Sequence, residues 1–187
     1  MQRRRNRSFM RRKKATSNYQ CFHCDTKSQG IPMSYGAEAP SYYDDTPVIE
    51  REKRFYLTDD TCTMDNEYFF IKGCIEIPVI DSSEPFIWNV WVSLNKMNFD
   101  RVLELWETKG RENEEPYFGW LSTSIPSYPE TLNLKTNVHT RPIGVRPFIE
   151  LEPTDHPLAI EQQRGITLER VREIHQLITR FNAQNEI

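Results

Sequence analysis

The sequence predicts an α+β fold: a mainly antiparallel sheet with a central helix and C-terminal helices, preceded by an N-terminal CxxC loop of zinc-knuckle type. Three observations carry this. Runs of β-branched and aromatic residues cluster between residues 68 and 152, one helical period interrupts them, and a long helical stripe ends the chain. Strands in succession with helices set apart point to an antiparallel sheet covered on one face, not to alternating βαβ units.

The elements follow in order. Residues 31–47 hold Pro32, Gly36, Pro40 and Pro47, which exclude a long helix or a central strand. Tyr35, Tyr42 and Tyr43 make this stretch an ordered loop that lies on the core. Residues 68–79 (YFFIKGCIEIPV) read as a strand in which Phe70, Lys72, Cys74 and Glu76 alternate with Phe69, Ile71, Ile75 and Ile77, and a slip near Gly73 predicts a β-bulge. The turn chemistry of residues 81–85 (DSSEP) leads to a second strand at 86–94 (FIWNVWVSL). Trp88 and Trp91 face opposite sides of it, one in the core and the other covering the sheet's second face or lining a cleft. Phe99, Val102, Leu103, Leu105 and Trp106 fall at helical spacing, with Asn98 placed to cap the start and Gly110 past the end. Short strands are expected at 117–121, 132–139 and 145–152, broken by Pro126, Pro129 and Pro142. Residues 158–164 make a short helix. Thr167 caps a longer one, whose Leu168, Val171, Ile174, Ile178 and Phe181 form a single stripe. His175 sits at the margin of that stripe and reads as an interfacial core histidine.

Composition limits the function classes. A chain of 187 residues, 37% hydrophobic and 27% charged, has the size and polarity of one domain with a real core. No apolar run approaches the roughly 18 residues needed to cross a bilayer, so the expectation is a cytoplasmic protein with no membrane role. The net charge of −3 hides an asymmetry, because residues 1–14 hold eight Lys or Arg and no acid. The other 173 residues carry 16 basic and 27 acidic side chains, a net of −11. Residues 1–18 are therefore expected to be a disordered basic tail, and 19–187 a single α+β domain. The tail lacks the apolar centre of a secretory signal and the Leu-rich face of a presequence. A solvated extension is the first reading, and nucleic-acid contact through residues 1–14 the second.

The chemically loaded segment is Cys21-Phe22-His23-Cys24, whose spacing lets two thiolates reach one tetrahedral ion from a single tight loop. Structural zinc is the favoured cofactor. Cys62, Cys74, His139 and His156 are candidates to complete the site, although no second knuckle exists. A redox CxxC would follow a buried strand and open a helix, whereas here a basic tail precedes and Gly30-Ile31-Pro32 follows. Haem attachment would need His where Asp25 stands. Free cysteines buried as small apolar groups are the plain alternative.

The segments FFIKGCIEIPVID, FIWNVWVSL, PYFGWL, LNLKTNVHTRP and IELEPTDHPLAIEQQRGI together resemble an uncharacterised bacterial family, domain of unknown function 2199. The resemblance covers roughly residues 19–180 and leaves the basic tail outside. It implies a small bacterial protein with a cysteine knuckle at Cys21 and Cys24 and a further family-like cysteine at Cys62; the expected metal ligands are Cys21, Cys24 and Cys62, with the fourth left open between Cys74 and His156. It implies no activity.

A second constellation is Glu150, Glu152, Asp155 and His156, which could hold a divalent metal or supply acid and base groups. The catalytic candidates are Glu152, Asp155 and His156. Glu150 and Glu152 also share one strand face, and Asp155 or Thr154 is equally placed to cap a helix with Pro157 in its first turn. His139 and Lys135 need no cause beyond alternation on a half-exposed strand. No phosphate loop, serine elbow, HExxH or Walker pattern occurs. Three classes remain. The favoured one is a zinc-stabilised binding module, regulatory or immunity-like, that meets a protein partner around Tyr117, Phe118, Trp120 and Trp91. The others are a metal-assisted hydrolase built on Glu152, Asp155 and His156, and nucleic-acid binding through the tail.

Overall fold

The structure, a computed structural model, describes residues 27–28 and 30–185, so the basic tail and Cys21 to Cys24 lie outside the described residues. Strands β1 (Lys27–Ser28) and β2 (Ile31–Pro32) pair antiparallel as a separate ribbon. Eight strands form the main sheet: β3 (Ser34–Gly36), β4 (Phe55–Leu57), β5 (Thr61–Met64), β6 (Tyr68–Ile77), β7 (Phe86–Leu94), β8 (Tyr117–Leu121), β9 (Lys135–His139) and β10 (Phe148–Leu151).

The expected hairpin of β6 and β7 is its spine, in unbroken register from Phe69 opposite Leu94 to Ile77 opposite Phe86. Each spine strand divides its second edge between two partners. β6 pairs with β5 near Phe70 and with β10 at Cys74, while β7 pairs with β3 at Ile87 to Asn89 and with β8 at Val92 and Ser93. Because β8, β9 and β10 follow one another antiparallel, the ring of β6, β7, β8, β9 and β10 closes into a small barrel. The sheet expected to be open and covered on one face is thus closed on itself. Two contacts in it, β10 with β6 and β3 with β7, are parallel.

Gly73 makes the closure possible. A Cβ there would stand 2.5 Å from Ile149 Cδ1 and 2.9 Å from the Pro147 carbonyl oxygen, so only glycine lets β10 approach. The continuous register shows no bulge at this point. The slip in alternation has another cause: residues 70–73 are buried on both faces of β6, so polarity stops reporting which face is inside.

Ile71, Ile75, Ile77, Trp88, Val90, Val92, Leu121, Val138 and Ile149 are fully buried and fill the barrel. Helix α3 (Lys96–Glu104) brings Phe99 against Phe69, with ring centroids 5.2 Å apart. Its cap is not the expected Asn98 but Asn95, three residues earlier, whose Oδ1 accepts the Asn98 N–H at 2.8 Å, and the helix ends before the expected Leu105 and Trp106. Helices α4 (Pro157–Arg164) and α5 (Leu168–Asn185) pack where expected, with Thr167 Oγ1 accepting the Arg170 N–H at 3.2 Å. The α5 stripe buries Leu168, Val171, Ile174 and Ile178, and His175 Nδ1 hydrogen-bonds the Tyr35 hydroxyl at 2.5 Å.

The stretch 31–47 is more ordered than a loop. It holds β3 and helix α1 (Ser41–Asp45), and helix α2 (Val48–Arg54) follows; each helix starts directly after a proline, Pro40 or Pro47. Among the described residues no helix is long and apolar enough to cross a membrane.

Candidate functional site

Of the expected zinc ligands, Cys21 and Cys24 lie outside the described residues. Cys62, on β5, is fully buried opposite Phe70, and burial pushes its thiol up to about 12. Cys74 shares the face of Phe70 but lies four residues further along β6, about 13 Å at a rise of ~3.3 Å per residue. Two thiolates of one zinc each sit ~2.3 Å from it, so Cys62 and Cys74 do not reach one ion together. Among the described residues no three His, Cys, Asp or Glu gather into a group that could hold a metal.

The acidic constellation is dispersed over separate tasks. Glu150 Oε2 meets His139 Nε2 at 2.8 Å across β9 and β10, and Glu152 pairs loosely with Lys135 at 3.8 Å. Asp155 is exposed at the surface. His156 is itself the cap of α4: its Nδ1 accepts the Leu158 N–H at 3.2 Å, and its own N–H donates to Thr154 Oγ1 at 3.1 Å. The cap expected at Asp155 or Thr154 thus falls one or two residues later, because Pro157 occupies the first helical position. An imidazole fixed this way presents only Nε2, which is buried and has no hydrogen-bond partner among the described residues.

Two parts of the barrel's outer face stand out instead. The first is the outer face of β8, β9 and β10. Phe118 and Trp120 project from it, each 41% exposed, with rings edge to face at 5.1 Å. Phe118 stands opposite Asn137 and Trp120 opposite Lys135, and the Lys135–Glu152 and His139–Glu150 pairs flank them. Tyr117, alternating to the other side, donates its hydroxyl to Glu114 at 2.8 Å; burial and that carboxylate push the phenol up to about 12. Trp91, expected on the same surface, is fully buried and donates its indole N–H to the Ala37 carbonyl at 3.2 Å.

The second part is the outer face of the β6–β7 spine, which the segments 37–46 and 141–147 cover. A cleft of about 520 Å³ opens there, lined by Asp60, Cys74, Asn89, Trp106, Val145 and Arg146 among others. Arg111 is buried and holds the 141–147 loop in place: Nε donates to the Arg141 carbonyl at 2.6 Å, and its terminal nitrogens donate to the Pro142, Val145 and Trp106 carbonyls at 3.2, 3.0 and 2.8 Å. Gly144 takes a positive φ of 81° at the loop's turn, where a side chain would be strained. Arg146 Nε donates to Asp60 Oδ1 at 2.7 Å, and Arg141 pairs with Glu76 at 2.7 Å. On the floor the Cys74 thiol donates to Asn89 Oδ1 at 3.5 Å, while Asn89 Nδ2 donates to Ser34 Oγ at 3.0 Å.

Lys72 lies beside this cleft, 3% exposed, with its ammonium 5.3 Å from the Trp91 ring centroid. Burial, with Arg146 second, brings its amine down to about 8, against the opposing pull of Asp60, Glu38 and Asp59. None of Lys72, Asn89, Arg111, Arg141 and Arg146 was marked by motif reasoning. The available signals were a lysine inside the most apolar strand and two arginines framing a Pro-Gly turn in HTRPIGVRP.

The family described as an uncharacterised protein conserved in bacteria (DUF2199) matches residues 20–166. No curated protein and no solved structure matches the chain at a significant level. The chain belongs to the DUF2199 family.

Proposed function

We propose that this DUF2199 protein is a binding module that meets a protein partner through the outer face of β8, β9 and β10. The observation that carries the reading is the pair Phe118 and Trp120. Two large aromatic side chains lie in mid-strand, in contact with each other and open to solvent, inside a rim of charged and amide groups. Interfaces take their energy from such aromatic anchors within a polar surround. A monomer gains little from leaving both rings in water. The net of −11 outside the first fourteen residues favours a partner with a basic surface, whose approach it would steer.

Capture from a bacterial lysate tests this. The wild type, a Phe118→Ser/Trp120→Ser double variant and a Tyr56→Ser control are compared by quantitative mass spectrometry; Tyr56 is 72% exposed on β4 and outside the proposed face. A defined protein held by the wild type and the control but lost by the double variant, at unchanged Tm, supports the reading. The same protein held equally by the double variant overturns it.

Zinc at Cys21 and Cys24 belongs to the same reading and rests on the CxxC spacing, while Cys62 as a third ligand rests on the family resemblance. Metal content decides it: about one zinc per chain, lost in Cys24→Ser, is expected. Metal-free wild type purified without chelator contradicts it.

A further inference from the structure

We propose that the cleft between the 141–147 loop and the β6–β7 spine binds a small organic anion, whose charged group sits on Arg146 above Cys74 and whose flat apolar body lies against Trp106. Nothing in this depends on the Phe118 and Trp120 face, and either reading can fail without the other.

The size is right to begin with. About 520 Å³ falls inside the range of roughly 300–1,000 Å³ typical of small-molecule sites, which combine apolar walls with a few convergent polar groups. Here Trp106, Ile143 and Val145 supply the apolar walls, and Arg146, Cys74 and Asn89 the polar end.

Hydrogen bonding then sorts the cations into those that build the cleft and the one that faces it. Arg111 spends its guanidinium on four backbone carbonyls and is part of the frame. Arg141 is engaged by Glu76 and stacks over Phe148 at 5.3 Å. Arg146 differs. Asp60 takes only its Nε, and among the described residues its two terminal nitrogens carry no hydrogen bond. A guanidinium in that state offers a planar fork that fits a carboxylate or phosphate in two parallel bonds.

The surrounding charge favours the same sign of ligand. Arg146, Arg141 and Lys72 all bear on the Cys74 thiol, against the single carboxylate of Glu76. Asp60 and Glu107 are the acids of the lining; Asp60 is paired with Arg146 through Nε alone, which leaves the terminal nitrogens of that guanidinium to a ligand. Arg111 and the turn at Gly144 hold the loop in shape without a ligand, so little ordering is left for binding to do. Burial pushes the Cys74 thiol up, which keeps it protonated as a weak donor and makes the site one of binding, not of attack by a thiolate.

Calorimetric titration of the full chain with phenyl phosphate, phenylacetate, benzylamine and inorganic phosphate tests the proposal. Binding of phenyl phosphate or phenylacetate, at least tenfold weaker in Arg146→Gln and in Trp106→Ala, is expected, and which of the two binds tells phosphate from carboxylate. Benzylamine is expected not to bind. Equal binding of benzylamine, equal binding of inorganic phosphate alone, or no binding of either aromatic anion overturns the proposal.

Because Arg146→Gln could disturb the loop, a second measurement uses the wild type. Alkylation of Cys74 by anionic iodoacetate and by neutral iodoacetamide is followed by peptide mapping, with glutathione as the reference thiol. A ratio of iodoacetate to iodoacetamide rates at least fivefold above that of glutathione, falling when phenyl phosphate is present, is expected. A ratio equal to that of glutathione overturns the proposal.

Discussion

The outer face of the β6–β7 spine and the outer face of β8, β9 and β10 belong to one continuous barrel wall, yet they meet opposite fates. On the spine, Trp91, Lys72 and Asn89 are at most 3% exposed, because the 37–46 segment and the Arg111-held loop fold over them. The Arg141 guanidinium reaches as far as Phe148 on β10, but on β8 Phe118 and Trp120 remain 41% exposed. An outward-facing tryptophan therefore means two things in this molecule. Where the chain supplies its own cover it is core, and where the chain supplies none it is available to another molecule.

That contrast can be broken by substitution, beginning with the largest effect. Trp91→Ala removes a fully buried indole and is expected to cost about 3–5 kcal/mol in urea unfolding. A cost below about 1 kcal/mol would mean that the spine's outer face is not a core at all.

Next comes the buried lysine. Its folded amine, near 8, lies below the ordinary 10.5 of the unfolded chain, so from pH 8 to 10.5 the unfolded state binds the extra proton and stability rises with pH on this account. Cys62 and Tyr117, both pushed up to about 12, oppose folding over the same range, so the difference between two proteins is the cleaner reading. Relative to Lys72→Met, the wild type is expected to gain about 2–3 kcal/mol between pH 7 and pH 10. A difference that stays constant with pH would place Lys72 in water.

Arg111→Met tests the cover itself. Four carbonyls lose a charged donor, so a loss of about 2 kcal/mol is expected, with faster hydrogen exchange confined to residues 141–147. Exchange unchanged in that loop would show that Arg111 does not hold it. His156→Ala, on the open side, removes the α4 cap and should cost about 1 kcal/mol. A metal-dependent change in the stability of that variant would instead return His156 to the ligand set. The smallest effect is expected from Trp120→Ser, within about 0.5 kcal/mol, since its ring is already half in water.

Much of the architecture was legible because it is local. The spine strands, the Thr167 cap and the α5 stripe each follow from local spacing and stand where the spacing puts them, whereas α3 begins and ends earlier than its spacing suggests and leaves Leu105 and Trp106 beyond its end. Closure was not legible. It depends on β10 reaching β6 across some seventy residues, and its one local mark, Gly73, is equally the mark of a bulge. Trp91 and Trp120 show the same limit from the other side. Alternation assigns both to the outer face, and only the later placement of Ala37 and the Arg111-held loop separates them. The α4 cap was placed only to within two residues, because Thr154, Asp155 and His156 each carry an atom able to accept a helix N–H, and the bond from Leu158 goes to His156. The cleft was hidden for a plainer reason: Asp60, Cys74, Asn89, Trp106 and Arg146 come from five separate stretches that no motif joins.

The most direct test of the contrast is hydroxyl-radical footprinting of the same chain, purified and in a bacterial lysate. In the purified protein Phe118, Trp120 and Tyr56 are expected to be oxidised and Trp88 and Trp91 spared. In the lysate Phe118 and Trp120 should become protected while Tyr56 stays reactive. Equal oxidation of Trp120 in both samples would contradict a partner on that face.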